Sequence, residues 1–202
     1  MISTEKKLIF LHIPKTGGAS VQTELNNYCN GSDKDMYVKY FHGHHIPFSE
    51  LKNRMYKDNQ NKIFDEYNKI CIVRNPWDWH VSWYHYLKQT PPYSSGYINE
   101  YNLCNNKSFN DYIKWLCDVK KTSKGKPELN MLDWVVNENG DIIPNDIIKY
   151  ETLNEDLIKY GLNIPHINKS IHKGFKTYYN DETIELVRDK HKLDIEHFKY
   201  EF

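Results

Sequence analysis

Residues 8–20 read LIFLHIPKTGGAS, and this stretch decides the fold. Leu8 to Ile13 form a short apolar run that is typical of a buried strand, and Pro14 ends it. After the turn that follows, apolar residues at positions 19, 21, 25 and 28 recur at helical spacing. The stretch therefore predicts a strand, a glycine turn and the N-terminus of a helix.

The predicted turn is a cradle for an anion. A helix N-terminus offers backbone N–H groups and a favourable dipole, and Gly17 and Gly18 let the backbone come close without a Cβ. Lys15 adds positive charge, while Thr16 and Ser20 add hydroxyl donors. The stretch is not a Walker A loop. In a Walker A loop the lysine and the hydroxyl residue follow the glycines, whereas here Lys15 precedes Gly17 and Gly18. We expect a phosphate-like ligand; an ordinary strand-to-helix turn with a surface lysine is the alternative.

A second apolar run, Ile70 to Val73, predicts a strand that is buried on both faces. Arg74 stands at its carboxyl end, Asn75 can cap the next helix, and Pro76 suits the first helical position. Ligands of open α/β sheets bind at the carboxyl ends of strands, and a guanidinium suits phosphate. Arg74, with Ser82 two turns into the helix, is therefore the candidate for a second phosphate; a structural ion pair is the alternative.

Three histidines, His42, His44 and His45, follow the first helix within YFHGHHIPFSEL, residues 40–51. A metal site lacks a convincing further ligand nearby in the sequence. A structural loop needs the imidazoles only for hydrogen bonds to the backbone. In a catalytic site, a neutral imidazole would take a proton from an attacking hydroxyl. Of these three interpretations, the residues alone favour the structural loop.

The remaining pattern predicts more elements of an α/β chain. They are a polar loop at 30–35, a helix at 108–118 capped by Ser108, a tight turn at Asn139–Gly140, a late strand within 146–157, and one final helix from Asn180 with Ile184, Val187, His191, Ile195 and Phe198 inward.

Composition limits the possible functions. The 202 residues fit one domain, 1–202, and 27 basic residues balance 27 acidic ones, which gives no case for nucleic acid or an anionic membrane. No apolar run approaches the roughly 20 residues of a membrane span. The four cysteines lack C-x-x-C spacing, and the sequence before the first strand leaves no room for a signal peptide. We therefore expect a cytoplasmic protein with reduced thiols.

The motifs together resemble a known family. HIPKTGG is similar to the 5′-phosphosulfate loop of sulfotransferases that use 3′-phosphoadenosine 5′-phosphosulfate (PAPS), and it is closest to the carbohydrate group with the heparan 2-O- and chondroitin enzymes. Many members have threonine where this chain has Ala19. RNPWDWHVS resembles the 3′-phosphate motif, with Arg74 and Ser82 matching and Trp79 in place of a frequent arginine.

The resemblance also extends to the histidines and the C-terminal region. The 2-O-sulfotransferases carry H-G-H at the place of His42 and His44, where the histidines are implicated as catalytic base and helper. His45 is extra and is treated as a spectator. Lys169 and Ser170 lie in the segment that closes over the nucleotide in relatives.

The resemblance implies a fold and a function. The fold is α/β, a single domain with a central, mainly parallel sheet flanked by helices, similar to the P-loop nucleotide kinases. The implied activity is transfer of a sulfuryl group from PAPS to an acceptor hydroxyl of a carbohydrate or small molecule, with PAP as product and no metal. The implied donor site comprises Lys15, Thr16, Gly17, Gly18, Ala19, Ser20, Arg74, Ser82, Lys169 and Ser170, and the catalytic residues are His44, His42 and Lys15. An ATP-dependent kinase and a non-catalytic nucleotide- or glycan-binding module are the alternatives.

Overall fold

The computed structural model of the protein describes residues 1–41, 45–90, 96–119, 130–164 and 173–202. The chain divides into two compact units. The first comprises Met1–Arg74 and Met131–Lys169, and the second comprises Asn75–Asn130 and Ser170–Phe202.

The first unit contains the sheet. Its strands are β1 (Ile2–Ser3), β2 (Leu8–Leu11), β3 (Asn68–Val73) and β4 (Asp146–Lys149). They lie in the order β1-β2-β3-β4; β1 is antiparallel to β2, whereas the β2–β3 and β3–β4 pairs are parallel. The expectation of a mainly parallel sheet is confirmed.

The first predicted strand is shorter than the apolar run that marks it. Leu11 pairs with Cys71 in the last position of the β2–β3 ladder. The chain then leaves the sheet at His12, although the apolar run continues to Ile13. The backbone of His12 is thereby outside the ladder, at the carboxyl end of β2.

Ten α-helices lie in the described residues. In chain order they are α1 (Gly18–Leu25), α2 (Gly31–Phe41), α3 (Phe48–Lys57), α4 (Asn61–Glu66), α5 (Pro76–Gln89), α6 (Ile98–Asn106), α7 (Phe109–Asp118), α8 (Leu153–Leu157), α9 (Asp181–Lys190) and α10 (Lys192–Phe198). Short 3₁₀ helices cover Asn26–Tyr28, Leu132–Trp134, Tyr150–Thr152, Ile158–Tyr160 and Phe175–Tyr178.

The polar loop predicted at 30–35 is wrong, because α2 begins at Gly31. The backbone N–H of Asp33 donates to Asn30 Oδ1 at 3.0 Å, and the N–H of Asn30 donates to Asp33 Oδ2 at 3.1 Å. These two side chains satisfy N–H groups that the first turn of a helix leaves without partners. The same residue types favour turns, so the sequence pattern does not distinguish a loop from a helix start.

One face of the sheet packs against α1 and α8. Alternate strand residues point to the same face, and in this unit they meet apolar residues of both helices. The cluster consists of Leu8, Phe10, Val21, Leu25, Ile70, Ile72, Ile148, Leu153, Leu157 and Leu162. The intervening residues Ile9, Leu11, Cys71 and Val73 are also buried, which confirms that β2 and β3 are covered on both faces.

The second unit is helical in the residues described. The Asn75 side chain accepts a hydrogen bond from the Trp77 N–H at 3.1 Å, and Pro76 is the first residue of α5. Ser108 forms a capping box with Asp111 at the start of α7. Both predicted helix starts are confirmed.

The single final helix of the sequence prediction is instead two helices that meet at His191. His191 is buried, its Nδ1 lies 3.2 Å from Asp194 Oδ2, and its Nε2 lies 2.8 Å from His80 Nε2. Because Asp194 accepts from Nδ1, His80 donates to the other nitrogen, and burial holds the pKa of His80 well below its usual value. These contacts fix His191 at the junction, where its φ of −107° departs from helical geometry.

The side chains of the four cysteines are free thiols, and burial raises the pKa of Cys71, Cys104 and Cys117. Among the helices that the structure describes, none combines the length and the apolar character needed to cross a membrane.

Candidate active site

The loop between β2 and α1 has an unusual backbone. Lys15 has φ 64° and Gly17 has φ 84°, so both adopt the left-handed region. For a residue with a Cβ this conformation costs roughly 1–2 kcal/mol, and such residues cluster at ligand-binding sites. The loop curls at these two points, and α1 then starts at Gly18 with its N-terminal N–H groups at the loop.

The hydroxyl of Thr16 belongs to the framework of this loop. Thr16 is fully buried, and its Oγ1 donates to the Ile13 carbonyl at 2.8 Å. Ser20 is buried in the first turn of α1, whereas Ala19 is exposed. Thr16 therefore stabilises the curled backbone through this buried hydrogen bond.

Close neighbours leave no room for a side chain at either Gly17 or Gly18. A Cβ on Gly17 would lie 3.0 Å from the Tyr150 ring, at a φ that already disfavours side chains. A Cβ on Gly18 would lie 2.1 Å from Cδ2 of His12. The rings of Tyr150 and His12 thus lie directly against two consecutive residues of the loop.

Arg74 reaches the same loop from the carboxyl end of β3. It is 5% exposed, and its Nη1 donates to the Lys15 carbonyl at 3.0 Å. Its guanidinium carbon lies 4.2 Å from the centre of the Tyr150 ring, a cation–π distance. Tyr150 therefore contacts both Gly17 and Arg74 and fixes the guanidinium beside the loop.

The charges of Lys15 and Arg74 act on each other. Burial, and secondarily the positive charge of Arg74, lowers the pKa of Lys15 to about 8. The protein thus holds two cations close together at the edge of its sheet, where an anion would stabilise both. This arrangement fits a ligand with phosphate groups, although the whole chain has no net charge.

The structure brings together only part of the predicted set. Lys15 to Ser20 and Arg74 form one cluster in the first unit. Ser82 is buried in α5, which belongs to the second unit. The other predicted residues, His42, His44, Lys169 and Ser170, lie outside the described residues.

Sequence comparison assigns the family. The family model described as "Sulfotransferase family" matches residues 1–201. The chain belongs to the sulfotransferase family. The predicted class of enzyme is thereby confirmed. No functionally curated protein matches the sequence.

Structural comparison agrees with this assignment. The fold is similar to that of mouse sulfotransferase SULT7A1, whose crystal structure is a complex with PAP. The TM-score is 0.52 at 14% identity, over 96% of this chain and 85% of the mouse chain. At this identity the likeness concerns the fold, and it confirms the predicted sulfotransferase fold.

Tyr150 contacts the candidate site of this sulfotransferase, and the sequence analysis did not name it. It follows β4 directly, as Arg74 follows β3. Carboxyl ends of parallel strands meet at one edge of a sheet, so the sequence position of Tyr150 carried a usable signal.

A cleft beside the loop contains two further histidines of the sulfotransferase. His12, Gln22, Tyr37 and His45 line it together with three apolar residues. His12 Nδ1 lies 3.0 Å from Gln22 Oε1, and Gln22 Nε2 lies 3.3 Å from the Tyr37 hydroxyl. Burial, with a smaller effect of His45, lowers the pKa of His12 to about 3, so its imidazole is neutral at physiological pH.

The contact of His12 with Gly18 generates a stability prediction. Gly18→Ala should lower the free energy of unfolding by roughly 1–3 kcal/mol, because the added methyl overlaps the imidazole. Gly31→Ala is the matched control, since a Cβ there meets no atom within 4 Å. Urea unfolding of both variants measures the difference.

A double-mutant cycle tests whether His12 is the cause. His12→Ala removes the ring, so adding Gly18→Ala to it should cost much less than Gly18→Ala in the natural chain. Additive effects, or a Gly18→Ala protein as stable as the Gly31→Ala control, would contradict the observed packing.

Proposed function

We propose that this protein transfers a sulfuryl group from PAPS to a hydroxyl of a carbohydrate and releases PAP. Membership of the sulfotransferase family supports the reaction, and the PAP complex of SULT7A1, which has the same fold, supports the donor. The single observation that carries the proposal is the hydrogen bond from Arg74 to the Lys15 carbonyl. It joins the two groups that the sequence motifs assign to the two phosphate ends of one nucleotide.

Different residues of the cluster would bind the two phosphate ends of the nucleotide. The curled loop and the N-terminus of α1 receive the 5′ end, because N–H groups and the helix dipole favour an anion there. Arg74 receives the 3′-phosphate, with its plane held by Tyr150. The bound donor supplies an activated sulfuryl group whose leaving group is PAP.

Lys15 would assist the departure of PAP. Its ammonium, beside the N–H groups of the loop, stabilises the negative charge that develops on the leaving phosphate. A single preorganised donor of this kind commonly contributes on the order of 10²–10³-fold in rate.

The base that takes the proton of the acceptor hydroxyl would be a histidine of the H-G-H motif. The resemblance to the 2-O-sulfotransferases assigns the base to His44 or His42, and it also favours a carbohydrate acceptor. A neutral imidazole in that role would contribute on the order of 10²–10⁴-fold in rate. We retain both assignments as predictions, since these residues are not among those described.

Donor binding and transfer test the function directly. We expect PAP to bind in the presence of a chelator, and labelled PAPS to give acceptor-dependent PAP release with a panel of glycans and simple alcohols. Binding only of ATP with Mg²⁺ would indicate a kinase instead. PAP binding with no acceptor-dependent release would indicate a binding module.

Arg74→Ala should weaken PAP binding about 10–100-fold, because a charge-assisted hydrogen bond contributes roughly 1.5–3 kcal/mol. Arg74→Lys should bind with intermediate affinity, since it keeps the charge but loses the planar fork. Isothermal titration calorimetry measures the affinities, and Arg188→Ala, at an exposed arginine paired with Glu185, is the control. Unchanged affinity in Arg74→Ala, in a protein that unfolds normally, would remove Arg74 from the donor site.

The lowered pKa of Lys15 predicts a pH dependence of PAP binding. Below pH 8 the ammonium is charged and attracts the phosphate, and above pH 8 the free protein loses this charge. The association constant should therefore fall by up to about tenfold per pH unit above pH 8. The phosphates do not cause this fall, because their second ionisation has a pKa of about 6 and is essentially complete by pH 8.

Lys15→Arg provides the matched control, because its guanidinium stays charged in this range. Its PAP affinity should remain flat between pH 7.5 and 10. A flat profile in the natural protein as well would show that the Lys15 ammonium does not contribute to binding.

A further inference from the structure

The loop that joins β2 to α1 is flanked by two residues that contact each other. His12 is the first residue after β2, Gly18 is the first residue of α1, and we call residues 13–17 between them the donor loop. A Cβ on Gly18 would lie 2.6 Å from Nε2 of His12 and closer still to Cδ2. The imidazole of His12 therefore lies directly against the first turn of α1.

The orientation of this ring is fixed from α1 itself. Nδ1 of His12 lies 3.0 Å from Oε1 of Gln22, which follows Gly18 by four residues, about one helical turn. An amide oxygen only accepts hydrogen bonds, so Nδ1 carries the hydrogen and Nε2 carries the lone pair. The ring thus contacts α1 at two places, through Nδ1 at Gln22 and through its opposite edge at Gly18.

The Gln22 side chain is in turn held by the next helix. Its Nε2 donates to the hydroxyl of Tyr37 in α2 at 3.3 Å. The Tyr37 ring packs against that of Phe41 in the same helix, with 5.3 Å between the centres. Because the amide has a partner at each end, both hydrogen bonds fix its orientation. The His12 ring is therefore attached to two helices.

His12 acts on the donor loop as a neutral group. Burial lowers the pKa of His12 to about 3, and an uncharged ring suits this place because the positive end of a helix dipole disfavours a cation. An imidazole with so low a pKa is a poor general base at neutral pH. Its role here is therefore one of shape and hydrogen bonding, and it does not replace the base that the proposed function requires.

We infer that His12 is a positioning residue for the sulfuryl donor. Its ring sets the distance between the end of β2 and the first turn of α1, and so the positions of the N–H groups that receive the 5′ end of the nucleotide. Gln22 holds the ring in the orientation that this requires. The inference rests on the proposed function and adds to it the residues that shape the 5′ side of the donor site.

The contacts made by His12 differ from those within the donor loop. Thr16 Oγ1 bonds the Ile13 carbonyl, and Arg74 bonds the carbonyl of Lys15, so these contacts hold residues inside the loop. His12 instead connects the strand end with the helix start across the whole loop. Binding groups that are held in place before the ligand arrives reduce the cost of ordering them on binding. Loss of the His12 ring should therefore weaken donor binding.

His12→Ala tests this role. We expect the Kd of PAP and the KM for PAPS to rise on the order of tenfold, since the loop must then be ordered by the ligand. The KM for the acceptor should stay within about twofold, a separation that a loss of stability alone would not produce. Calorimetry and initial rates measure these constants, and His197→Ala, at an exposed histidine of α10, is the control.

Gln22→Leu tests the orientation of the ring in a protein that keeps it. We expect the Kd of PAP to rise about threefold, because Nδ1–H loses its acceptor. In the His12→Ala background the same change should have no further effect, since Gln22 acts on the loop through His12. An equal effect in both backgrounds would show that Gln22 does not act through His12 and would overturn its assignment.

Natural PAP affinity in folded His12→Ala and Gln22→Leu proteins would overturn the inference. The proposed function would still stand in that case, because the natural protein would bind PAP and transfer the sulfuryl group. A natural protein that neither binds PAP nor transfers would contradict the proposed function itself.

A spectroscopic measurement tests the inference without an acceptor. Two-bond ¹H–¹⁵N correlation spectra distinguish imidazole tautomers, and sequential backbone assignment identifies the His12 ring. We expect the neutral Nδ1–H form, and signals that shift when PAP is added. The Nε2–H form, or ring signals that saturating PAP leaves unchanged, would overturn the inference.

Discussion

The hydrogen bond between the Arg74 guanidinium and the Lys15 carbonyl is the constraint on which the site depends. It connects the residue after β3 to the loop after β2, and the parallel pairing of these strands brings their carboxyl ends to the same edge. Tyr150, directly after β4, completes the edge by contacting Arg74 and Gly17. Residues that follow three neighbouring strands thus meet in a single cluster.

The cluster concentrates positive charge in a protein whose net charge is zero. The chain has 27 basic and 27 acidic residues, so long-range attraction does not explain an affinity for anions. Lys15 and Arg74 instead act at short range, where partial burial strengthens electrostatic interactions. In the free protein this arrangement lowers the pKa of Lys15. The negative charge of a bound phosphate would raise that pKa again.

The sequence predicts the parts of this site that follow from order along the chain. A strand, a glycine turn and a helix start are local features, and the place of Arg74 follows from the general geometry of parallel sheets. Tyr150 was predictable by the same rule. The contact of His45 with the His12 carbonyl was not predictable, because the two residues are 33 positions apart in the sequence.

Two other differences between prediction and structure have different physical origins. Asn30 and Asp33 have the composition of a loop, yet their reciprocal hydrogen bonds begin a helix. His191 fits a continuous helical pattern, yet its bond to the distant His80 fixes it at a junction between two helices. A contact over a long sequence separation decides the helix junction, whereas the Asn30–Asp33 hydrogen bonds are local and involve residue types that also favour turns.

The central claim is that one nucleotide spans the strand ends that Lys15 and Arg74 occupy. A crystal structure of the protein with PAP, prepared in chelator, tests it most directly. The account predicts the 5′-phosphate at the N–H groups of Gly17 to Ser20 with Lys15 beside it, and the 3′-phosphate on the guanidinium of Arg74. A nucleotide bound elsewhere, or a 3′-phosphate that leaves Arg74 on the Lys15 carbonyl without contact to the ligand, would contradict the account.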